Sequence, residues 1–116
     1  MTDSNPPYQL DRVDAGEFEP FVVEGAAVGE IRWLQSPDPA SATLEVGLWR
    51  SGPATYDYLF AVDETFCVLE GAVTIDLPDS GETLELGEGD TAYFRAGTRS
   101  VWRVTKPFKK FVITPP

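Results

Sequence analysis

The sequence predicts an all-β domain, a sandwich or a closed barrel, on three observations. Short segments alternate apolar and polar residues and recur at roughly the 8–12-residue spacing of such folds. Glycines and prolines, ten of each, separate these segments. Nowhere does an apolar pattern of about 3.6-residue period persist for the three turns that would mark an amphipathic helix. Leu10–Glu17 comes nearest and does not sustain it.

The elements follow in order. Met1–Pro7 is polar and proline-bearing, so residues 1–9 are expected to form a flexible N-terminal segment and residues 10–116 the single folded domain. Glu30–Leu34 alternates and stops at Ser36-Pro37-Asp38-Pro39; Leu44–Trp49 alternates and stops at Ser51-Gly52-Pro53. Thr65–Leu69 is rich in β-formers and ends at Gly71. Ala72–Leu77 runs into Pro78-Asp79-Ser80-Gly81, a strong turn signal, and Thr83–Leu86 leads out of it. Thr91–Phe94, Ser100–Thr105 and Phe111–Thr114 complete the set.

Composition excludes much chemistry. With no histidine there is no Ser-His-Asp triad, no Cys-His dyad and no imidazole metal ligand. The single thiol, Cys67, forms no internal disulfide, and the expected location is a reducing cytoplasm. A net charge of −10 argues against nucleic-acid binding, which rests on neutralising phosphates. The charge is lopsided: all nineteen acids lie in residues 1–90, while residues 91–116 hold six bases and no acid. The last strands are therefore expected to pair with acidic neighbours on a solvated face, an anion-binding mouth being the alternative. The longest uncharged stretch, Ser4–Leu10, is seven residues, so no membrane partner is expected, and no signal peptide is readable.

The spacing of a few residues carries a resemblance. Gly52, five residues, Tyr58-Leu59-Phe60, three residues, Glu64, six residues, Gly71 follows the first cupin motif; Gly89, Arg95, Gly97, Ser100 and Val104 fall at the places of the second. The chain resembles a single-domain cupin of the RmlC-like kind, which implies a jelly-roll β-barrel. Asp63–Gly71, Leu86–Asp90, Ala96-Gly97 and Val101–Val104 are similar to the subfamily of ureidoglycine aminohydrolases and ethanolamine-utilisation Q proteins. In metal-binding cupins the H-x-H pair, the Glu and the later His hold the metal. Here Tyr58, Phe60 and Ser100 stand at three of those places and only Glu64 remains. That is a poor donor set for a transition metal, so no metal and no cofactor are expected.

Residues two apart on a strand share a face. Tyr58 with Phe60, Glu64 with Phe66, and Ser100 with Trp102 are then expected to line one cavity, an aromatic box with one acid. Each has a second reading. The aromatic residues also serve as plain barrel core. Glu64 also serves as a structural acid bonded to a tyrosine hydroxyl or to the Trp102 indole. Arg95 and Arg99, near the mouth, hold a ligand anion or form surface ion pairs. Arg103 falls on the face opposite Trp102, leaving Glu64 without a counter-charge and driven by burial toward its neutral form.

Four functions remain open. The chain is expected to be a metal-independent binder of a small polar metabolite. Alternatively it is an enzyme with Glu64 as general acid or base and Tyr58 as second proton donor. A phosphoryl-transfer role through Arg95 and Arg99 lacks any phosphate loop. The last option is a purely structural barrel. A homodimer is expected, with Phe18, Phe21, Val22 and Val23 as an apolar patch able to carry the contact.

Overall fold

The computed structural model describes residues 10, 12–14, 16–23, 25–34 and 44–115. Its strands are β1 (Glu19–Val23), β2 (Ala26–Leu34), β3 (Glu45–Ser51), β4 (Ala54–Leu59), β5 (Glu64–Leu77), β6 (Glu82–Gly87), β7 (Thr91–Phe94) and β8 (Arg99–Thr114). No helix occurs among the described residues, and so none long and apolar enough to cross a membrane. Leu10–Glu17 is not helical where it is described; Val13 and Asp14 form a turn. Residues 1–9, expected to be flexible, lie outside the described residues.

Two long strands organise everything else. β8 pairs with β4 through Arg99–Val104 and with β3 through Phe108–Thr114. β5 pairs with β7 through Glu64–Cys67 and with β6 through Ala72–Leu77. The two long strands also pair with each other, from Thr65 opposite Ile113 to Asp76 opposite Val101. Each therefore serves two sheets. One reads β1-β2-β3-β8-β5-β7 and the other β4-β8-β5-β6, all antiparallel, folded over one core. This is the jelly-roll expected from the sequence.

The corner between the sheets lies at Gly71 and Pro107. The β5–β8 register shifts three times between Val68 and Val73. Across that bulge the buried positions of β5 change from Glu64, Phe66 and Val68 to Val73 and Ile75. Gly71 sits at φ 85°, and a Cβ there would overlap the Pro107 carbonyl. Pro107, with no N–H to give to a ladder, is tolerated because the ladder is already interrupted. Gly71 is therefore a bend inside one strand rather than a strand end, and the segments Ser100–Thr105 and Phe111–Thr114 join across Pro107 in the same way. β1 and β4 were not marked by the sequence signals, because a proline inside one and before the other masks the alternation.

Packing around the corner is dominated by rings. Phe60, Phe66, Val68, Val73 and Ile75 are all less than 2% exposed. The Trp102 ring lies within 6.3 Å, centroid to centroid, of Trp49, Tyr58, Phe60, Phe66 and Phe108. Outside, the basic end of the chain meets acids as expected: Arg103 pairs with Asp76 across β8 and β5, Lys109 lies 3.2 Å from Glu70, and Arg99 lies 3.9 Å from Asp79. Arg103 holds the Asp76 carboxyl below the usual carboxylate range through its hydrogen bonds. The apolar patch expected at the N-terminus is only partly exposed. Phe21 packs against the core, Phe18 lies 3.8 Å under the Arg50 guanidinium, and of the four only Val22, 59% exposed, faces out.

Gly71→Ala is expected to cost about 3 kcal/mol or more, since positive φ and overlap with a backbone carbonyl act together. Gly97→Ala, at φ 90° but with open space around its would-be Cβ, is expected to cost about 1–2 kcal/mol. Urea unfolding midpoints of the two variants, read side by side, check the difference.

Candidate functional site

Glu64 opens β5 and points inward with Phe66 and Val68, only 4% exposed. The preceding Asp63 accepts the Ala96 N–H at 2.8 Å, while Phe60 exchanges backbone bonds with Thr98 and Gly97. The Arg95–Thr98 turn thus pins the segment that leads into Glu64. On β8 the even positions face the interior through both halves, from Ser100, Trp102 and Val104 to Phe108, Lys110, Val112 and Thr114. Lys110 stands opposite Val68, and its long side chain reaches along β5 past Phe66 to Glu64.

The result is a buried cluster of three polar groups. Lys110 Nζ donates to Glu64 Oε2 at 2.6 Å, and the Tyr58 hydroxyl donates to Glu64 Oε1 at 3.1 Å. Lys110 is 5% exposed, and its ammonium lies 4.5 Å from the ring centres of both Phe66 and Trp102 and 5.2 Å from that of Trp49. Burial pushes the Lys110 ammonium below the usual lysine value, while Glu64 opposes that shift by its charge and hydrogen bond. Tyr58 is raised well above the usual tyrosine value by burial first, then by the Glu64 charge and the hydrogen bond to it. Lys110 removes the premise that Glu64 is an uncompensated acid. Arg103 does face away, but the lysine seven residues on does not.

These groups form the inner end of a cavity of about 290 Å³ between the two sheets. Tyr56, Trp49 and Trp102 wall it, and Phe21 and Val23 of β1 close one side. Its opening is marked by Trp33, Leu59 and Val62, which line it while remaining 36–46% exposed.

Of the expected site residues, Tyr58, Glu64 and Trp102 border this cavity. Phe60, Phe66 and Ser100 lie behind its wall. Phe60 and Phe66 both lie nearly parallel to the Phe94 ring, at 4.5 and 6.0 Å. Ser100 donates to the Tyr58 carbonyl at 2.7 Å and accepts the Trp102 indole N–H at 3.1 Å, so that N–H is not spent on Glu64. Neither Arg95 nor Arg99 borders the cavity. Arg95 is exposed beside a shallow outer groove, and Arg99, adjacent to inward-facing Ser100, points to solvent toward Asp79. Cys67 alternates with Phe66 and faces away from the cavity. Lys110 and Trp49 were missed by sequence reasoning. The available signal was the parity of Trp102 carried on to residue 110.

The donor set does not suit a transition metal. Phe60 offers no donor, Ser100 is engaged twice, and both oxygens of Glu64 are taken by Tyr58 and an ammonium that repels a cation. No group of three or more His, Cys, Asp or Glu able to hold a metal occurs among the described residues.

A jelly-roll with the two cupin motif strands facing one cavity, and with the motif's three metal-binding histidines replaced, defines a cupin of the non-histidine kind. The family model of the EutQ-like cupin domain matches residues 39–111, and the chain belongs to that family. Among solved structures, a DUF861 family protein from Thermotoga maritima is 29% identical, with TM-score 0.54, over 56% of this chain and 73% of its own. The EutQ protein of Clostridium difficile is 20% identical, with TM-score 0.66, over 77% of this chain and 63% of its own. The polyketide cyclase RemF from Streptomyces resistomycificus is 23% identical, with TM-score 0.69, over 93% of this chain and 78% of its own. The last two likenesses concern the fold alone. Comparison with curated proteins finds no match.

Lys110→Met is expected to destabilise the fold by about 3–5 kcal/mol, because it strands a buried carboxylate. Adding Glu64→Gln should regain at least half of the loss in the same urea assay, because it removes the stranded charge. In a spectrophotometric titration, one of the chain's four tyrosines should ionise well after the others. The folded protein holds that proton where the unfolded chain releases it, so Tyr58's contribution to stability is present below pH 10 and falls as pH rises beyond it.

Proposed function

We propose that this protein is a metal-independent cupin that binds a small neutral molecule, a flat and mostly apolar body ending in a carbonyl or hydroxyl oxygen. The observation that carries this reading is the Lys110–Glu64–Tyr58 cluster at the inner end of a cavity otherwise lined mostly by aromatic and aliphatic side chains, its other carboxylate, Glu45, being exposed. Lysine and glutamate together are neutral, so a charged ligand would bring an uncompensated charge into a low-dielectric interior at considerable cost. A neutral carbonyl meets no such cost. It accepts from the ammonium, which has three N–H donors and gives one to Glu64. An amine ligand, which a bare Glu64 would have suited, finds its place already held by Lys110.

The cavity volume of about 290 Å³ lies near the lower end of the roughly 300–1,000 Å³ range of small-molecule pockets. A barrel serving only as scaffold would have filled that space with side chains. Cys67, with no second thiol, suits a reducing compartment such as the cytoplasm.

Turnover is the second reading, and one observation favours it. Lys110 and Tyr58 both touch Glu64, which sets proton donors and an acceptor side by side where a ligand oxygen would end. RemF, a polyketide cyclase by name, is an enzyme on the same fold.

Titration of isotopically labelled protein with benzamide, benzyl alcohol and benzylamine tests the binding reading. The Trp102 and Trp49 indole N–H signals report on the cavity wall. Benzamide and benzyl alcohol should move both signals saturably, and benzylamine should not. Silence with all three compounds, or preference for the amine, contradicts the proposal.

A further inference from the structure

We propose that Lys110 is a nucleophile, and that aldehydes or ketones entering the cavity form an imine with its ε-amine. The inference rests on the reading of the cavity as a site for carbonyl compounds and adds a covalent step to it. Three observations carry it. Lys110 is 5% exposed yet borders the cavity, so a molecule approaches its side chain from the cavity rather than from bulk water. Its surroundings are the rings of Trp49, Phe66 and Trp102, an apolar setting of the kind that activates an amine by desolvation. Glu64 Oε2, at 2.6 Å, is the base that the step requires. A purely structural pair would need the Tyr58 hydroxyl on the second carboxylate oxygen, but not a cavity beside it.

The step balances with these groups alone. Glu64 takes one proton from the ammonium, and the freed lone pair attacks the carbonyl carbon. The carbonyl π pair moves to oxygen, which receives that proton from Glu64, and the nitrogen gives a second proton to Glu64. The carbinolamine hydroxyl then leaves as water with this second proton, while the nitrogen lone pair closes the C=N bond. One ammonium and one carbonyl become one protonated imine and one water. Glu64 ends as a carboxylate still facing a cation, so the charge pair survives the reaction. Tyr58 touches neither reacting atom; it is a positioning residue that holds Glu64 Oε1.

The chain has three lysines, Lys106, Lys109 and Lys110, which makes the test clean. Lys106 is exposed, and Lys109 is engaged by Glu70 and the Val13 carbonyl. The full chain is incubated with benzaldehyde and cyanoborohydride, and benzylated lysines are mapped by peptide mass spectrometry. Lys110 should be labelled at least about ten-fold faster than Lys106, as positioning beside an acid–base group allows. Excess benzamide should slow Lys110 alone. The Lys106→Arg/Lys109→Arg variant, altered only outside the cavity, should keep the label. Glu64→Gln, shown folded by its melting transition, should lose at least about ten-fold of the Lys110 rate. Labelling of Lys106 and Lys109 with none on Lys110 overturns the imine. If benzamide still moves the Trp102 signal in that case, the binding site stands and only the covalent step fails; if it does not, both fall.

Discussion

The ion pair of Lys110 and Glu64 is the constraint around which the interior is arranged. Two charges taken out of water cost several kcal/mol each after relaxation, and mutual attraction repays this only when geometry and the remaining hydrogen bonds are good. Here one carboxylate oxygen takes the ammonium and the other takes a tyrosine hydroxyl, while three aromatic faces surround the cation. Interaction of a cation with ring faces adds to this compensation, more so where water is excluded. The rings around the ammonium, Trp49, Phe66 and Trp102, are neighbours of the motif's metal-ligand positions and not those positions themselves.

Delivering those groups to one place is the task of the two long strands. β5 brings Glu64 and Phe66 in its first half, and β8 brings Trp102 in its first half and Lys110 in its second. The shared corner at Gly71 and Pro107 lets both strands leave one sheet and enter the other. On β5 that corner shifts the inward residues by one position; on β8 the even positions stay inward on both sides. A bulge that failed to form would turn the side chains of one half toward the wrong face. The bend and the ion pair are therefore one design seen at two scales: the first sets which side chains meet, the second sets what their meeting is worth.

Much of this was legible in the residues, and the illegible part has physical reasons. Glycine spacing and strand parity identified Glu64, Tyr58 and Trp102, because a motif glycine and a two-residue alternation are local features. Lys110 was illegible for two reasons. Phe108 and Val112 lie on one face of its strand and Phe111 and Ile113 on the other, so hydropathy does not choose between faces. Lysine also belongs by default in water. Phe21 and Val23 read as an outer patch because β1, with Pro20 inside it, did not read as a strand. Arg95 and Arg99 looked suited to a mouth because sequence alone does not say at which end of a barrel the opening lies.

The central claim is that Lys110 lies inside the barrel, over aromatic rings and bound to Glu64. The most direct measurement is the proton chemical shift of the ε-methylene groups of the three lysines in isotopically labelled protein at neutral pH. Ring currents from Phe66 and Trp102, each 4.5 Å from the Lys110 nitrogen, should move one of the three far upfield. That signal should show contacts to the protons of both rings and to the Glu64 side chain. Three ε-methylene signals together at the position of solvated lysine, with no ring contacts, would contradict the account.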